Sequence, residues 1–222
     1  MKQLDKDFLA PRRCLREPVP EIFEAAGYLS LAVEAHLSGN RSGAAHMIGR
    51  ANQPAIRDWV APLLGSVATY PDRADYVRYR PVPAAPPVLS KSVRVAVRMP
   101  NAEQQAELIR QQGRHCGFCH IPLISADVRK ALVRAYPGVA TWGAKNADCH
   151  SALLCMWLQF DHLLPHSRGG GNDLSNIQIT CSGCNYGRMA LTLEEVGLLN
   201  PRLHPRRGSD WDGLERFLSA AA

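Results

Sequence analysis

Two Cys-x-x-Cys pairs, Cys116/Cys119 and Cys181/Cys184, constrain this chain more than any other feature. Seven cysteines is an odd number, whereas a secreted disulfide framework usually shows an even number in a shorter chain. Reduced thiols paired at this spacing point to metal. Four thiolates make a closed tetrahedral site with no position left for water, so the expected ion is a structural Zn²⁺. Its binding would be folding energy, clamping the segment around Cys184 to the Cys116–Cys119 knuckle. The 61 residues between the pairs exceed the roughly 15–20 of an ordinary zinc ribbon. The excess, residues 120–157, has no assignment from sequence. His115, His120, Cys149 and His150 lie close enough along the chain to replace a ligand. Cys14 and Cys155 read as buried, apolar-like residues.

The remaining composition narrows the class. The chain has 222 residues, 46% hydrophobic and 21% charged, so it is neither disordered nor collagen-like. It is long enough to bury a sizeable core. The longest apolar stretch, Ser151 to Phe160, is about half of the roughly 20 residues that a membrane span needs. The N-terminal MKQLDKDFLAPRRC lacks the apolar run of a secretory signal, so a cytoplasmic protein with no membrane association is expected. A net charge of +6 favours polyanionic partners without proving one.

The pattern along the chain predicts an α+β protein: a small helical N-terminal subdomain (1–80), a proline-rich connector (81–92) and a second domain (93–222). Ile22, Ala25, Ala26, Leu29, Ala32 and Val33 repeat with helical period after Pro20, which suits a helix start. Gly39-Asn40 marks a turn. A second helix follows with Ala45, Ile48 and Gly49 facing inward, then a third carrying Ile56, Trp59 and Val60. This unit is structural support or a platform for a protein partner or self-association. PVPAAPP (81–87) is a stiff extended connector. The alternation in SVRVAVRMP predicts a short strand over 93–98. Asn101 caps a helix over 102–112 that ends at Gly113. Further helices are expected over 125–136 and 151–157, strands over 158–163 and 176–180, and a helix from Ser182. Ser209 caps a last helix whose docking face is Trp211, Leu214, Phe217 and Leu218. The Tyr76–Arg80 cluster is a solvated edge or a base-stacking element, and Arg206-Arg207 a solvated loop.

The chemistry concentrates in QFDHLLPHSRGGGNDLSNIQITCSGCNYGR, residues 159–188. Asp161 and Asn185 offer hard oxygens suited to Mg²⁺ or Mn²⁺. His162 titrates near neutral pH and can serve as a general base on water. A strand, a glycine-rich loop, a second strand and a helix would bring the three together. An oxygen-bound cation beside an imidazole is a centre suited to cleaving phosphodiesters.

This segment resembles the ββα-metal motif of the HNH endonucleases. The matching residues are Asp161-His162, Asn176 and Asn185, the last two lying 14 and 23 residues after His162. The flanking CxxC pairs resemble the zinc-stabilised branch of that family. The resemblance implies a ββα nuclease domain that cuts DNA, leaving 5′-phosphate and 3′-hydroxyl ends. His162 would be the general base, Asp161 and Asn185 would hold the divalent ion, and Asn176 would fix the loop and orient His162. A restriction or phage-defence setting fits such a protein. So does the rival role of a zinc-stabilised nucleic-acid-binding module without cleavage. The family's second histidine is replaced here by Asn185. Arg168 and Arg188 flank the centre and are expected to contact phosphate, since guanidinium forks suit it. His166 either joins them or is an exposed loop residue.

Overall fold

Helix α1 (Pro20–Leu37) opens on a proline whose missing N–H costs nothing in a first turn. It buries Ile22, Ala25, Ala26, Leu29, Ala32 and Val33 along one stripe. Gly39 turns the chain at φ +82°. The Asn40 side chain then accepts the Gly43 N–H at 2.9 Å and caps α2 (Arg41–Ala51). The inward set of α2 is Ala44, Ile48 and Ala51, so Gly49 is exposed rather than buried as expected. A short helix with several small residues leaves its phase poorly marked in the sequence. Helix α3 (Pro54–Leu64) buries Ile56, Trp59, Val60 and Leu63. These coordinates, a computed structural model, describe residues 10–204 and 209–219. Arg206 and Arg207 lie outside the described residues.

A short helix α4 (Arg73–Tyr76) follows, and residues 77–100 are largely irregular. The strand expected over 93–98 does not form: a single 3₁₀ turn spans Lys91–Val93, and Val93, Val95 and Val97 are exposed. Helix α5 (Ala102–Gln112) has a full capping box, with Asn101 Oδ1 accepting the Gln104 N–H and Gln104 Oε1 accepting the Asn101 N–H. It stops at Gly113, φ +69°. Helix α6 (Ala126–Ala135) is capped by Ser125, and α7 (Ser151–Cys155) leads into the sheet.

The sheet has two strands. β1 (Gln159–His162) pairs antiparallel with β2 (Ile177–Thr180), with Asp161 opposite Gln178 and His162 opposite Ile177. The free edge of β2 is closed by a side chain. Gln112 donates to the Ile177 carbonyl at 2.8 Å and accepts the Ile179 N–H at 2.9 Å. The Gly117 N–H takes the Ile179 carbonyl. Those contacts close the outer edge of β2, while residues 93–98 offer the Val95 and Val97 carbonyls to the His166 and Asn172 side chains instead of to a strand.

Helix α8 (Ser182–Arg188) completes the ββα unit and packs on α3. A Cβ at Gly183 would meet Leu63 and Trp59 at 3.0–3.1 Å, and one at Gly187 would meet Leu15 at 2.7 Å. Glycine at these positions lets α3 come close. The last helix, α9 (Arg216–Ser219), starts later than Ser209 predicts, because the chain turns first at Gly213 and at Leu214 (φ +63°). Leu214 and Phe217 are still buried. The buried apolar side chains form one continuous cluster from Cys14 through α1–α3, the sheet and α8 to Phe217. Helices plus a small sheet place the protein in the α+β class. Among the described residues, no helix is long and apolar enough to cross a membrane.

Candidate nuclease site

Both CxxC pairs meet at the start of α8. Cys116 and Cys119 sit on a tight knuckle held by Cys116 N–H to Ile121 O and His120 N–H to Cys116 O. Cys181 is the N-cap of α8 and Cys184 lies one turn on. All four are buried, and their sulfurs lie within 4.8 Å of one another. Sγ of Cys119 and Cys181 are 3.6 Å apart. A tetrahedral zinc with bonds of about 2.3 Å requires sulfurs about 3.8 Å apart, so the donor set and spacing fit Zn²⁺. The remaining cysteines, Cys14, Cys149 and Cys155, are buried but do not belong to the four-sulfur group. His150 is committed elsewhere: Nε2 faces the Ile48 carbonyl at 2.9 Å and Nδ1 accepts the Leu153 N–H.

His162, at the end of β1, borders an open groove of about 690 Å³. Asp161 and Asn185 line the same groove. The His162 tautomer follows from its neighbours. The Asn172 amide donates to the Val97 carbonyl at 2.9 Å, which leaves Asn172 Oδ1 as the acceptor facing His162 Nε2 at 2.9 Å. The proton therefore sits on Nε2 and the lone pair on Nδ1. Burial lowers the imidazole pKa, the Asn172 bond opposes that, and nearby His166, Arg98 and Arg188 lower it further. The ring is neutral at neutral pH, as a base must be.

Asn176 holds the loop between the strands. Its Oδ1 accepts the Leu164 N–H at 2.8 Å, and its amide donates to Leu164 O and Gly171 O. A Cβ at Gly170 would lie 1.8 Å from the Leu164 carbonyl, so the loop closes only with glycine there. Asn176 thus fixes the loop from which Asn172 reaches His162.

Residues 147–188 match the family model described as HNH endonuclease. The chain carries an HNH endonuclease domain. No curated protein and no solved structure gives a match. The matched span contains α7, both strands and α8, with Asp161, His162, Asn176, Cys181, Cys184 and Asn185. An HNH domain implies nuclease chemistry in general and a nucleic-acid substrate.

Two arginines expected at phosphate in this HNH domain are turned inward. Arg188 is fully buried and forks onto Asp161, with Nη2 at 2.7 Å from Oδ1 and Nε at 3.2 Å from Oδ2. It also donates to the carbonyls of His162, Leu163 and Leu191. Burial raises the Asp161 pKa, and the Arg188 charge opposes that. Arg168 donates to Ala190 O and Pro86 O and pairs with Glu195 at 3.0 Å. Its guanidinium ties the loop to the proline-rich stretch and to the segment after α8. His166 is half-buried, with Nε2 against the Val95 carbonyl at 2.8 Å and its ring centroid 5.7 Å from that of His162. Asn185 donates weakly to Gln159 Oε1 at 3.3 Å.

The cations that do line the groove are Lys91, Arg94 and Arg98. Arg94 is bonded to the Leu89 carbonyl, whereas Arg98 is exposed and has no hydrogen-bond partner among the described residues. These residues and Asn172 escaped the sequence reading. The Arg94 and Arg98 alternation was legible but suggested a strand. Nothing in GGGND marks one asparagine as the partner of a histidine ten residues earlier.

Proposed function

We propose that this protein is a metal-dependent endonuclease that hydrolyses DNA phosphodiester bonds at the His162 groove. The observation that carries the reading is the neutral His162, whose Nε2–H is tied to Asn172 and whose Nδ1 lone pair is unprotonated. Nδ1 accepts the proton of the attacking water as the water adds to phosphorus. Asn172 holds the ring plane and, with Asn176, keeps the loop from rotating it. Lys91 and Arg98 neutralise the non-bridging phosphate oxygens. Asp161 and Asn185 are the oxygen donors for a divalent ion. A carboxylate offers about four lone-pair positions, and the Arg188 fork takes two of them, so Asp161 retains capacity for a cation. Two protein oxygens suit Mg²⁺ or Mn²⁺, which keep several waters. When bound, the ion supplies charge stabilisation for the phosphorane-like transition state and for the leaving 3′ oxygen. The P–O3′ bond breaks, the leaving oxygen takes a proton from solvent to become the 3′-hydroxyl of the upstream fragment, and the phosphate stays on the 5′ end of the downstream fragment.

One observation favours a second reading, a zinc-stabilised nucleic-acid binder without cleavage. The Arg188 fork already neutralises Asp161. The experiment is cleavage of supercoiled plasmid, single-stranded and branched DNA with Mg²⁺ or Mn²⁺, followed by mapping of the ends. Wild type is expected to leave 5′-phosphate and 3′-hydroxyl ends. His162→Ala should be slower by about 10²- to 10⁴-fold, with zinc content and melting temperature unchanged. Full activity in His162→Ala removes His162 as the base. DNA binding without cleavage by wild type, with any divalent ion, replaces the first reading by the second.

A further inference from the structure

The stretch between the two CxxC pairs, unassigned from sequence, ends in a run of rings that leads into the groove. The Arg129 guanidinium on α6 lies 3.6 Å from the Trp142 ring centroid and 4.6 Å from that of Trp157. The two tryptophans meet edge to face, with centroids 5.4 Å apart. Trp157 stands just before β1, and its ring centroid is 6.4 Å from that of Tyr186. Tyr186 follows Asn185 on α8, is 44% exposed and lines the same groove as Asp161 and His162. Arg129 is buried, and its Nη1 has no hydrogen-bond partner among the described residues. Its charge is satisfied by ring faces instead. Three side chains from α6, the loop before α7 and the approach to β1 thus back a fourth that is open to solvent.

The rim around Tyr186 has the same mixed character. Met99 and Met189 are exposed there beside Lys91 and Arg98. A groove that met only a duplex backbone would need cations and hydrogen-bond donors. In a duplex the base faces are covered by their neighbours, so a ring at the cleavage position would have nothing to stack on. An exposed tyrosine backed by Trp157, which is itself packed by Arg129 and Trp142, matches an open base face.

We propose that Tyr186 stacks on an unpaired nucleobase next to the phosphate at His162. The preferred substrate class is therefore DNA with an unpaired nucleotide at the cut: single-stranded, bulged or branched. This rests on the nuclease reading above. Tyr186 acts as a positioning residue, setting the distance between the phosphate and Nδ1 of His162.

The test is binding by the full-length, zinc-loaded chain in Ca²⁺ at fixed salt. The probes are labelled oligonucleotides of one sequence, presented as perfect duplex, duplex with a one-nucleotide bulge, and single strand. Wild type should bind the bulged and single-stranded probes at least about fivefold tighter than the duplex. Tyr186→Ala should lose that preference, and Tyr186→Phe should keep it, because the ring face is retained. Equal affinity of wild type for all three probes overturns the proposal. So does a preference that survives Tyr186→Ala. If all three probes bind equally and the duplex is cut in Mg²⁺, the nuclease reading stands and this one falls. If wild type binds none of the probes, both fall.

Discussion

Cys184 and Asn185 are neighbours on α8, yet the first closes a buried four-sulfur cluster and the second borders an open groove. The cluster has four identical soft donors, all buried and mutually close, and no position for solvent. Among the described residues, the groove has one carboxylate already forked by an arginine, two amides, two imidazoles and a basic rim. A site that holds its ion permanently benefits from closure, and a site that must admit a phosphate cannot be closed. One helix serves both because its first turn faces the knuckle on one side and β1 on the other.

The sharpest way to break this comparison is to change the two neighbours separately. Cys184→Ser should remove the zinc and lower the melting temperature by about 10 °C or more, because metal binding is folding energy here. Asn185→Ala should leave zinc content and melting temperature near wild type while lowering Mg²⁺-dependent cleavage by at least about tenfold. Metal analysis, thermal unfolding and nicking assays read the three quantities. If Cys184→Ser retains zinc, or if Asn185→Ala melts as early as Cys184→Ser, the division fails.

Arg188 sharpens the boundary between the regions. It belongs to the groove by sequence, but it is buried like the cysteines. Arg188→Met strands the Asp161 carboxylate, and breaking a buried pair in this way costs about 3–5 kcal/mol. The expected readout is a fall in melting temperature of about 10 °C, with zinc retained. An unchanged melting temperature with weakened DNA binding would return Arg188 to the phosphate.

The smallest effect lies in the support beneath both regions, where His150 joins α2 to α7. Its Nε2–H donates to Ile48 O and its Nδ1 accepts the Leu153 N–H, so the fold uses the neutral ring. Burial lowers its pKa from the usual value near 6.5. The unfolded chain therefore takes up a proton before the folded one does. Stability from this group is complete above about pH 6.5 and is lost as pH falls toward the depressed folded value. Melting curves from pH 8 to 5 should fall less steeply for His150→Gln than for wild type, even though the variant starts lower. Equal slopes would remove His150 as the titrating group.

What the sequence revealed depended on how local the physics was. Asn101, Gln104 and Gly113 mark both ends of α5 because a capping box and a left-handed stop are encoded within a few residues. The order of strand, loop, strand and helix around Asp161, His162 and Asn185 was legible for the same reason. The valines at 93, 95 and 97 misled, since alternation states which faces differ and not whether an edge is free. The Val95 and Val97 carbonyls meet the His166 and Asn172 side chains instead. Arg168 and Arg188 sit where a phosphate contact belongs along the chain, but their direction depends on Glu195 and Asp161. Asn172 becomes visible as a partner of His162 only when the loop is closed in space.

The long gap between the CxxC pairs carries a topological consequence. With one ion held by all four sulfurs, the chain from Cys119 to Cys181 becomes a ring closed by the metal. That ring contains α6, α7, β1, the glycine-rich loop and β2. Tying its ends restricts the unfolded chain, and the entropy removed grows, though slowly, with ring size, so this ring gains more than a short one would. A single backbone cut inside the ring would leave the two pieces tethered at the knuckle, and only loss of the metal would let them part.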